Sequence, residues 1–468
     1  MRNEELATLN GLRLADQPIR YPSRSVRLLE RLQKTADQDG QLASRALVPL
    51  NVVIVGAGLG GLATAVALAR RGHTVTILEQ APALGEVGAG IQIPPNSARL
   101  LLSWGIGPYF KGRVVEPDSM TFRRWQNGDP IGYTRLVPDF PDAYGAPYLV
   151  IHRADFHSAL CRLAEQHGVQ ILTDSRVVAY DEAAPAVTTA DGRTFAADLV
   201  VGADGVKSLA RPVVLGGTDR LANKTGFAVY RAVVDTAKIQ ADADTAWLLE
   251  KPGINIWIGP DRHVMTYSIA GGNSFNMVLS HVDHSDPASW TPADAVAEMR
   301  GQFAGWDPRL NKVIAMIEST IKWPLMSGAR LPTWIAPSRR LVLLGDAAHA
   351  MVPYMSQGAA MAVEDGAALA EVLSLVPSRD QLPDALAVFE QERMQRSGGM
   401  QTASLVNGRL WHFADGPEQE ARDRGSRAEV EGRPFLESTN QWSDPVTQVW
   451  AYGYDAEAEA RERWKARK

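Results

Sequence analysis

Three glycines in one short segment point to phosphate chemistry. Gly56, Gly58 and Gly61 form a G-x-G-x-x-G turn, directly after the apolar run at 51–55 and directly before the helical pattern at 62–72. Such a turn lets the backbone approach a pyrophosphate closely and aims the start of the next helix at its negative charge. The pattern predicts a dinucleotide site; a glycine turn made only for packing is the alternative.

An acidic residue at a suitable distance strengthens this prediction. Glu79 ends the next apolar run, TVTILE, eighteen residues after Gly61. A carboxylate there can accept hydrogen bonds from the adenosine ribose hydroxyls, and it disfavours a ribose that carries a 2′-phosphate. The dinucleotide at this first site is therefore expected to be FAD or NAD(H), not NADPH.

Two further turns follow apolar runs later in the chain. DLVVGADGVKS leads into Asp204 and Gly205, and RRLVLLGDAAHA leads into Asp346. Either turn alone is common in any chain. Open α/β sheets, however, bind ligands where their strands end, so the combination of both turns with the glycine turn predicts one shared site.

Composition excludes several classes of protein. The chain has 468 residues, 48 Lys and Arg against 53 Asp and Glu, and a net charge of −5, which argues against a nucleic-acid binder. Its one cysteine, Cys161, excludes disulfides within the chain and a cysteine-based metal site. No apolar run is long enough to span a bilayer, the histidines lack ligand spacing, and we expect a cytoplasmic protein without a metal site.

The elements that must position these residues are read from hydrophobic periodicity. A buried strand, the glycine turn, an apolar helix and another strand predict the opening βαβ unit of a Rossmann-like α/β domain. Alternation at period two in the middle of the chain predicts a mostly antiparallel sheet. We predict a flexible extension, a discontinuous dinucleotide domain, a β-sheet substrate domain and a helical C-terminal tail, at residues 1–50, 51–224 with 328–406, 225–327 and 407–468.

From residue 51 to 376 the chain resembles the group A flavoprotein aromatic hydroxylases, which are similar to para-hydroxybenzoate hydroxylase. The order GxGxxG, DG and GD carries this resemblance. The segments GEVGAGIQIPPNSARLLLSWG, IHRADFH, KWPL and NQWSDPVTQVWAYGYDAEAE resemble the salicylate 1-monooxygenase-like branch common among fungal enzymes of secondary metabolism and catabolism. The resemblance implies FAD as the cofactor and NADH or NADPH as a transient co-substrate.

The resemblance also implies roles for individual residues. The residues expected to bind the cofactor are Gly56, Gly58, Gly61, Glu79, Gln92, Arg153, Asp204, Gly205, Asp346, Gly358 and Ala359. Those expected to act on the substrate side are Tyr230, Arg211 and Pro353. Tyr230 has a second interpretation as plain β-sheet core, and Arg153 one as a surface helix residue.

The implied activity is hydroxylation of an electron-rich phenol or salicylate-like acid with O2, with or without loss of carbon dioxide. A phenol reacts best when it has lost its proton or is close to losing it. A hydrogen-bonding partner such as Tyr230, or a cation such as Arg211 or Arg231, is therefore expected beside its oxygen. TGFAVYR contains no histidine, whereas several bacterial relatives use one in this stretch. The identity of the base is therefore open.

Two other functions are compatible with the same sequence. The first is a flavin epoxidase or ring-expanding oxygenase that acts on a secondary metabolite. The second is a low-turnover FAD protein with a redox or interaction role, which is supported only by the aromatic cluster at 442–454. That cluster predicts either packing of the tail or a contact between two copies, and the chain is expected to be a monomer or homodimer.

Overall fold

The computed structural model of the chain describes residues 45–85, 88–181, 183–217 and 222–467. The extension predicted for residues 1–50 lies outside the described residues up to position 44.

The described residues alternate between strands and helices, and helices dominate the C-terminal part. The strands are β1 (Asn51–Val55), β2 (Thr74–Leu78), β3 (Gly90–Ile93), β4 (Ser119–Arg124), β5 (Pro130–Arg135), β6 (Leu149–His152), β7 (Gln170–Leu172), β8 (Val177–Asp181), β9 (Ala186–Thr189), β10 (Thr194–Ala196), β11 (Leu199–Gly202), β12 (Asn223–Asp235), β13 (Gly253–Gly259), β14 (Arg262–Ile269), β15 (Ser274–Val282), β16 (Ile321–Ser327) and β17 (Leu341–Leu343). The α-helices are α1 (Leu59–Arg70), α2 (Pro95–Ser103), α3 (Gly107–Phe110), α4 (Asp139–Tyr144), α5 (Arg153–Gln166), α6 (Ala210–Val214), α7 (Thr236–Ala241), α8 (Ala295–Gln302), α9 (Pro308–Ala315), α10 (Asp346–His349), α11 (Gly358–Ser374), α12 (Leu382–Trp411), α13 (Pro417–Val430), α14 (Pro445–Tyr452) and α15 (Ala456–Ala466).

A five-stranded parallel sheet carries the glycine turn. Its strand order is β17-β11-β1-β2-β7, and all its neighbouring strands run parallel. β1 is apolar because helices cover both faces of a parallel sheet. The Ala-rich helix α1 packs closely on α11, where a Cβ added at Gly366 would lie 2.8 Å from the Thr64 Cα. The carboxyl ends of β1, β11 and β17 therefore lie side by side, and each leads into one of the predicted turns.

A seven-stranded sheet forms the second layer. Its order is β16-β12-β15-β14-β13-β4-β5, and all pairs are antiparallel except β13 with β4. It contains the strands of the predicted region 225–327 and also draws β4 and β5 from earlier in the chain. One face, which we call the back face, packs against α8 and α9; the opposite front face turns toward the parallel sheet.

The C-terminal helices are an integral part of the core. α12 runs for 30 residues and continues beyond position 406 to Trp411. Trp442 and Tyr452 are buried in one cluster with the front side of the seven-stranded sheet. The aromatic cluster at 442–454 thus packs largely inside the chain. Within the described part of the chain, no helix combines the length and apolar character that crossing a membrane requires.

Candidate active site

A cleft of about 340 Å³ opens between the carboxyl ends of the parallel strands and the front face of the seven-stranded sheet. The predicted site residues that line it are Gly58, Gln92, Arg153, Gly205, Asp346, Pro353, Gly358 and Ala359. The front face and the end of α12 contribute Arg231, His263, Met265, Tyr267, Val278 and Trp411. The cleft therefore combines a backbone-rich wall with an aromatic and cationic wall.

The three glycines of the first turn have different reasons to be glycine. Gly56 has a φ of +105°, and an added Cβ would lie 2.5 Å from the Ala203 carbonyl oxygen. A Cβ at Gly61 would collide with the Gly56 carbonyl oxygen. At Gly58, by contrast, an added Cβ would meet no atom within 4 Å, and the backbone is extended there. Gly56 and Gly61 are thus required for the packing of the turn. The space beside Gly58 is open, and we call it the open cradle.

Glu79 lies beside this turn. Its Oε2 accepts a hydrogen bond from the Ala57 amide at 2.8 Å, and its Oε1 accepts one from the Ala81 amide at 2.9 Å. The carboxylate therefore stands at the end of β2, next to the backbone that a dinucleotide would approach. The geometry is compatible with the predicted contact to ribose hydroxyls.

The two predicted residues of the turn after β11, Asp204 and Gly205, have different surroundings. The Asp204 Oδ2 accepts hydrogen bonds from the Leu209 amide at 2.7 Å and the Ala210 amide at 3.1 Å. The carboxylate thereby binds two backbone amides where α6 begins. Gly205, with a φ of +74°, lines the cleft. At this turn the backbone faces the cleft and the acid stabilises the loop.

The turn after β17 presents an exposed carboxylate to the cleft. Asp346 is exposed, and it follows Gly345, whose φ is +59°. On the buried side of this turn, the Asp365 Oδ2 accepts hydrogen bonds from the Gly345 amide at 3.0 Å and from the His349 Nε2 at 2.6 Å. This buried acid fixes the backbone from which Asp346 projects.

Buried charges extend this support into α12. Arg393 bridges Asp365 and Glu364, with N···O distances of 2.8 Å to each. Burial by itself would raise the pKa of Asp365, but His349 and Arg393 hold that pKa at about 2. Glu364 also accepts a 2.7 Å hydrogen bond from Asn96, which connects α11 to the first turn of α2. Both acids are thus matched by partners, as buried charges require.

Gln92 and Arg153 enter the cleft from neighbouring elements. The Gln92 Oε1 accepts a 2.5 Å hydrogen bond from the Tyr148 hydroxyl, and its Nε2 lies 2.9 Å from the Met265 sulfur. Arg153 begins α5 and also lines an adjoining cleft of about 680 Å³, together with Arg231, Trp323 and Asp346. Arg153 thus lies in the cleft wall, and the contact with FAD that the resemblance implies stays a prediction.

The front face supplies the aromatic and cationic wall. Arg231, His263 and Tyr267 alternate with back-face residues along β12 and β14, so their side chains point to the same side. Burial raises the pKa of the Tyr267 phenol, and the nearby Arg231 acts against that rise. The His263 Nδ1 lies 2.9 Å from the His412 Nε2.

Two residues predicted on the substrate side lie elsewhere. Tyr230 points to the back face, where its ring stacks on His281 at a centroid distance of 5.0 Å. Its neighbour Arg231 faces the cleft because successive side chains of a strand alternate. Arg211 is buried and donates hydrogen bonds to the carbonyl oxygens of Val206 at 3.1 Å and Ala347 at 3.3 Å. Arg211 thus contacts the backbone of two cleft turns from behind.

Comparison with known proteins identifies the family. The FAD binding domain family matches residues 49–404. The FAD-dependent monooxygenase OpS4 of Beauveria bassiana is 35% identical over 417 residues, which cover 88% of this chain and 96% of the relative. This chain belongs to the FAD-dependent monooxygenases.

Further relatives place this monooxygenase among the flavin aromatic hydroxylases. A 3-hydroxybenzoate 6-hydroxylase of Polaromonas naphthalenivorans is 36% identical over 379 residues, or 80% of this chain and 91% of the relative. A solved salicylate hydroxylase substrate complex matches with a TM-score of 0.70 and 27% identity, covering 89% of this chain and 98% of the other. The predicted family, fold class, FAD cofactor and enzyme class are confirmed.

Sequence reasoning missed part of the monooxygenase's cleft. The sequence predicts only a source of positive charge at Arg231, and it does not distinguish His263 from the other histidines. Period-two alternation could have paired these residues on one face with Tyr267. Trp411 is the last residue of α12 and His412 follows it, and no local sequence pattern predicts that they lie near the cleft.

Proposed function

We propose that this monooxygenase hydroxylates a phenolic aromatic acid of the hydroxybenzoate class. The observation that carries the proposal is Arg231, a cation in the aromatic wall of the same cleft that holds Gly58, Asp346 and Gly358. A guanidinium forms strong, directional hydrogen bonds to a carboxylate. The names of two relatives, a 3-hydroxybenzoate 6-hydroxylase and a salicylate hydroxylase, support this substrate class.

The residues at the backbone-rich wall fit FAD. The open cradle at Gly58 leaves room for a pyrophosphate at the start of α1, and the three strand-end turns offer further contacts. Glu79 would hold the ribose, while Gln92, Arg153, Asp346, Gly358 and Ala359 would contact the rest of the cofactor. When bound, FAD supplies the redox chemistry that activates O2 with electrons from NADH or NADPH.

The other residues around the cleft bind the substrate, exclude water or support the walls of the cleft in this proposal. Arg231 anchors the substrate carboxylate, and the packing of Tyr267, Met265 and Trp411 around the cleft excludes water from the reacting ring. Pro353 lines the cleft, and in this proposal its carbonyl lies near the reactive edge of the flavin. Arg211 holds the backbone of the turn at Asp346, and Tyr230 supports the sheet from the back face.

In this proposal the protein acts in the cytoplasm, as a monomer or a homodimer. A single cysteine, Cys161, supports a reducing compartment. Sedimentation of the purified, FAD-loaded protein would distinguish one copy from two.

The first experiment tests the cofactor site with a matched pair of variants. Gly58→Val puts a side chain into the open cradle, where its Cβ would meet no protein atom within 4 Å, and the Cβ of Gly301→Val would lie in equally open space on the exposed surface of α8. We expect Gly301→Val to purify with flavin absorbance like the parent protein. Gly58→Val should fold with the same circular dichroism but carry little FAD; equal flavin content in both would contradict the proposed cradle.

The second experiment tests the substrate class. The FAD-loaded protein is mixed with NADH or NADPH and a panel of hydroxybenzoates, salicylate and alkyl-resorcylates. We expect at least one phenolic acid to stimulate NAD(P)H oxidation and to yield a product with one added oxygen. Stimulation only by non-aromatic compounds, or epoxide and ring-expanded products, would favour the alternative oxygenase.

A further inference from the structure

His157 contacts the glycine turn from its buried side. It lies on α5, one helical turn after Arg153, and it is 5% exposed. Its Nε2 lies 2.8 Å from the carbonyl oxygen of Ala57, the residue between Gly56 and Gly58. A carbonyl oxygen only accepts hydrogen bonds, so the His157 Nε2 carries a proton and donates it.

A thiol lies at the other nitrogen of the same ring. Cys161 follows His157 by four residues, so the two side chains lie on one face of α5. The Cys161 Sγ is buried and lies 3.6 Å from the His157 Nδ1. In a neutral imidazole with its proton on Nε2, Nδ1 is an acceptor, and a thiol is a weak donor. The thiol contact therefore matches the ring state that the Ala57 carbonyl requires.

Glu79 and His157 fix the two peptide groups on either side of Ala57. Glu79 accepts a 2.8 Å hydrogen bond from the Ala57 amide, which belongs to the peptide group after Gly56. His157 binds the Ala57 carbonyl, which shares the next peptide group with the Gly58 amide. In a trans peptide group the C=O and the N–H lie in one plane and point in opposite directions. The Gly58 N–H therefore points away from His157.

Gly58 is the position at which the turn opens to the cleft. It lines the cleft and directly precedes α1, and its backbone is extended. An added Cβ at Gly58 would meet no protein atom within 4 Å. A helix start with its amides turned outward is a binding site for phosphate groups. The direction of the Gly58 amide therefore matters for a pyrophosphate in the open cradle.

We propose that His157 is a positioning residue for FAD, whose hydrogen bond to the Ala57 carbonyl holds the Gly58 amide toward the pyrophosphate. This inference rests on the proposed function, which places the pyrophosphate in the open cradle. His157 acts through the peptide group between Ala57 and Gly58 and not by touching the cofactor. Without the donor on His157 this peptide group can rotate, and the amide loses its fixed direction.

The test compares three variants of the FAD-loaded protein. His157→Leu removes the donor, whereas His157→Gln keeps an N–H donor at nearly the same distance from the backbone as the imidazole Nε2. The control is His73→Leu, because His73 is also 5% exposed and accepts a 3.1 Å hydrogen bond from the Leu50 amide at the opposite, amino end of the parallel strands. Each protein is diluted, and the fluorescence of the released flavin gives the Kd of FAD.

We expect His157→Leu to raise the Kd of FAD by about 5- to 50-fold, because a buried carbonyl group loses its donor. His157→Gln should remain within about threefold of the parent protein. His73→Leu should lose stability but keep its Kd within about twofold. Parent-like affinity in His157→Leu, or equal weakening in His157→Leu and His157→Gln, would overturn the inference.

Phosphorus NMR of the bound FAD locates the effect on the cofactor. The two pyrophosphate resonances should move in His157→Leu and stay in place in His73→Leu, because only His157 acts on the peptide group at the cradle. A loss of general stability would not produce this difference. Pyrophosphate resonances that are the same in His157→Leu and the parent would overturn the inference.

A measurement on the parent protein is decisive even if both His157 variants fail to fold. With isotope-labelled histidine, the ring whose nitrogen resonances move in Cys161→Ala is His157, and its Nε2 must carry a proton. An Nε2 without a proton would overturn the inference.

Gly58→Val separates a failure of this inference from a failure of the proposed cofactor site. If Gly58→Val retains FAD like the parent, the cradle and the role of His157 both fail. If Gly58→Val loses FAD while His157→Leu binds it like the parent, only the role of His157 fails.

Discussion

The two faces of the seven-stranded sheet carry the same residue types in different settings. Each face presents a tyrosine, a histidine and a cation. The front face has Tyr267, His263 and Arg231 at the cleft, and the back face has Tyr230, His281 and Lys322. Residue type alone therefore does not identify the site.

The surroundings of the two cations differ. On the back face the Lys322 Nζ lies 2.5 Å from both Asp283 and Glu298, and it sits 4.4 Å from the centroid of the Trp290 ring. Those two acids and His281 form a group with the spacing of a cation site, and the ammonium of Lys322 already lies among them. On the front face Arg231 borders open cleft space. A cation in the wall of a cleft can contact a ligand anion, whereas Lys322 lies between two acids on the back face.

The largest expected difference between the faces concerns substrate binding. Arg231→Met should raise KM for a phenolic carboxylate by about 10- to 100-fold, because a charge-assisted hydrogen bond contributes about 1.5 to 3 kcal/mol. Lys322→Met should leave KM within about twofold, since its neighbours are the back-face acids. Steady-state kinetics on the FAD-loaded enzymes measure both values. Equal KM changes in the two variants would remove the distinction between the faces.

Stability should reveal the back-face ion pair directly. Lys322→Met leaves two acids without their cation, and we expect a loss of about 2 to 3 kcal/mol, below the usual cost for a fully buried pair because Glu298 is 39% exposed. Denaturant unfolding of Lys322→Met and of the parent protein, followed by circular dichroism, gives the two free energies of unfolding. Equal values would contradict the contribution of this pair.

A smaller expected effect is the pH dependence of the stability that the back-face ion pair contributes. Burial alone would raise the pKa of Asp283, but hydrogen bonds from Lys322 and Ser285 outweigh it and lower that pKa from 3.8 to about 2. The stabilisation is complete above pH 3.8 and is lost as the pH falls through about 2. The parent protein should therefore lose stability more steeply than Lys322→Met between these values. Parallel pH profiles of the unfolding free energy would refute the contribution of the pair.

The smallest expected difference concerns the tyrosine hydroxyls. Tyr267→Phe removes a hydroxyl from the cleft, and the fraction of NAD(P)H oxidation coupled to product should fall by about 2- to 10-fold, the value of one hydrogen bond. Tyr230→Phe changes the back face and should leave coupling within about twofold. Product formed per NAD(P)H consumed measures this. A stronger effect at Tyr230 would restore the catalytic role that the sequence suggested for it.

Local sequence was sufficient to predict which strand-end turns meet at the cleft. The glycine turn, Gly205, Asp346 and Gly358 directly follow strands or begin helices, and a strand end has nearly the same geometry in every open α/β sheet. The five-stranded parallel sheet brings these turns together as expected.

The substrate side was predicted less well. Alternation along β12 indicates that Tyr230 and Arg231 face opposite ways, but it does not say which face is covered by α8 and α9. No local pattern indicates that β4 and β5 join the seven-stranded sheet, because strand pairing is non-local.

The sequence by itself determined the family, the cofactor and the turns that line the cleft, since these depend on backbone conformations that a few glycines and acids impose locally. Only the tertiary structure decided which tyrosine, histidine and cation border the cleft. His263 and His412 are 149 residues apart, and their contact exists only because α12 ends against the front face of the sheet. Burial, pairing of charges and open space are properties of the packed molecule, and they separate a binding residue from a structural one of the same type.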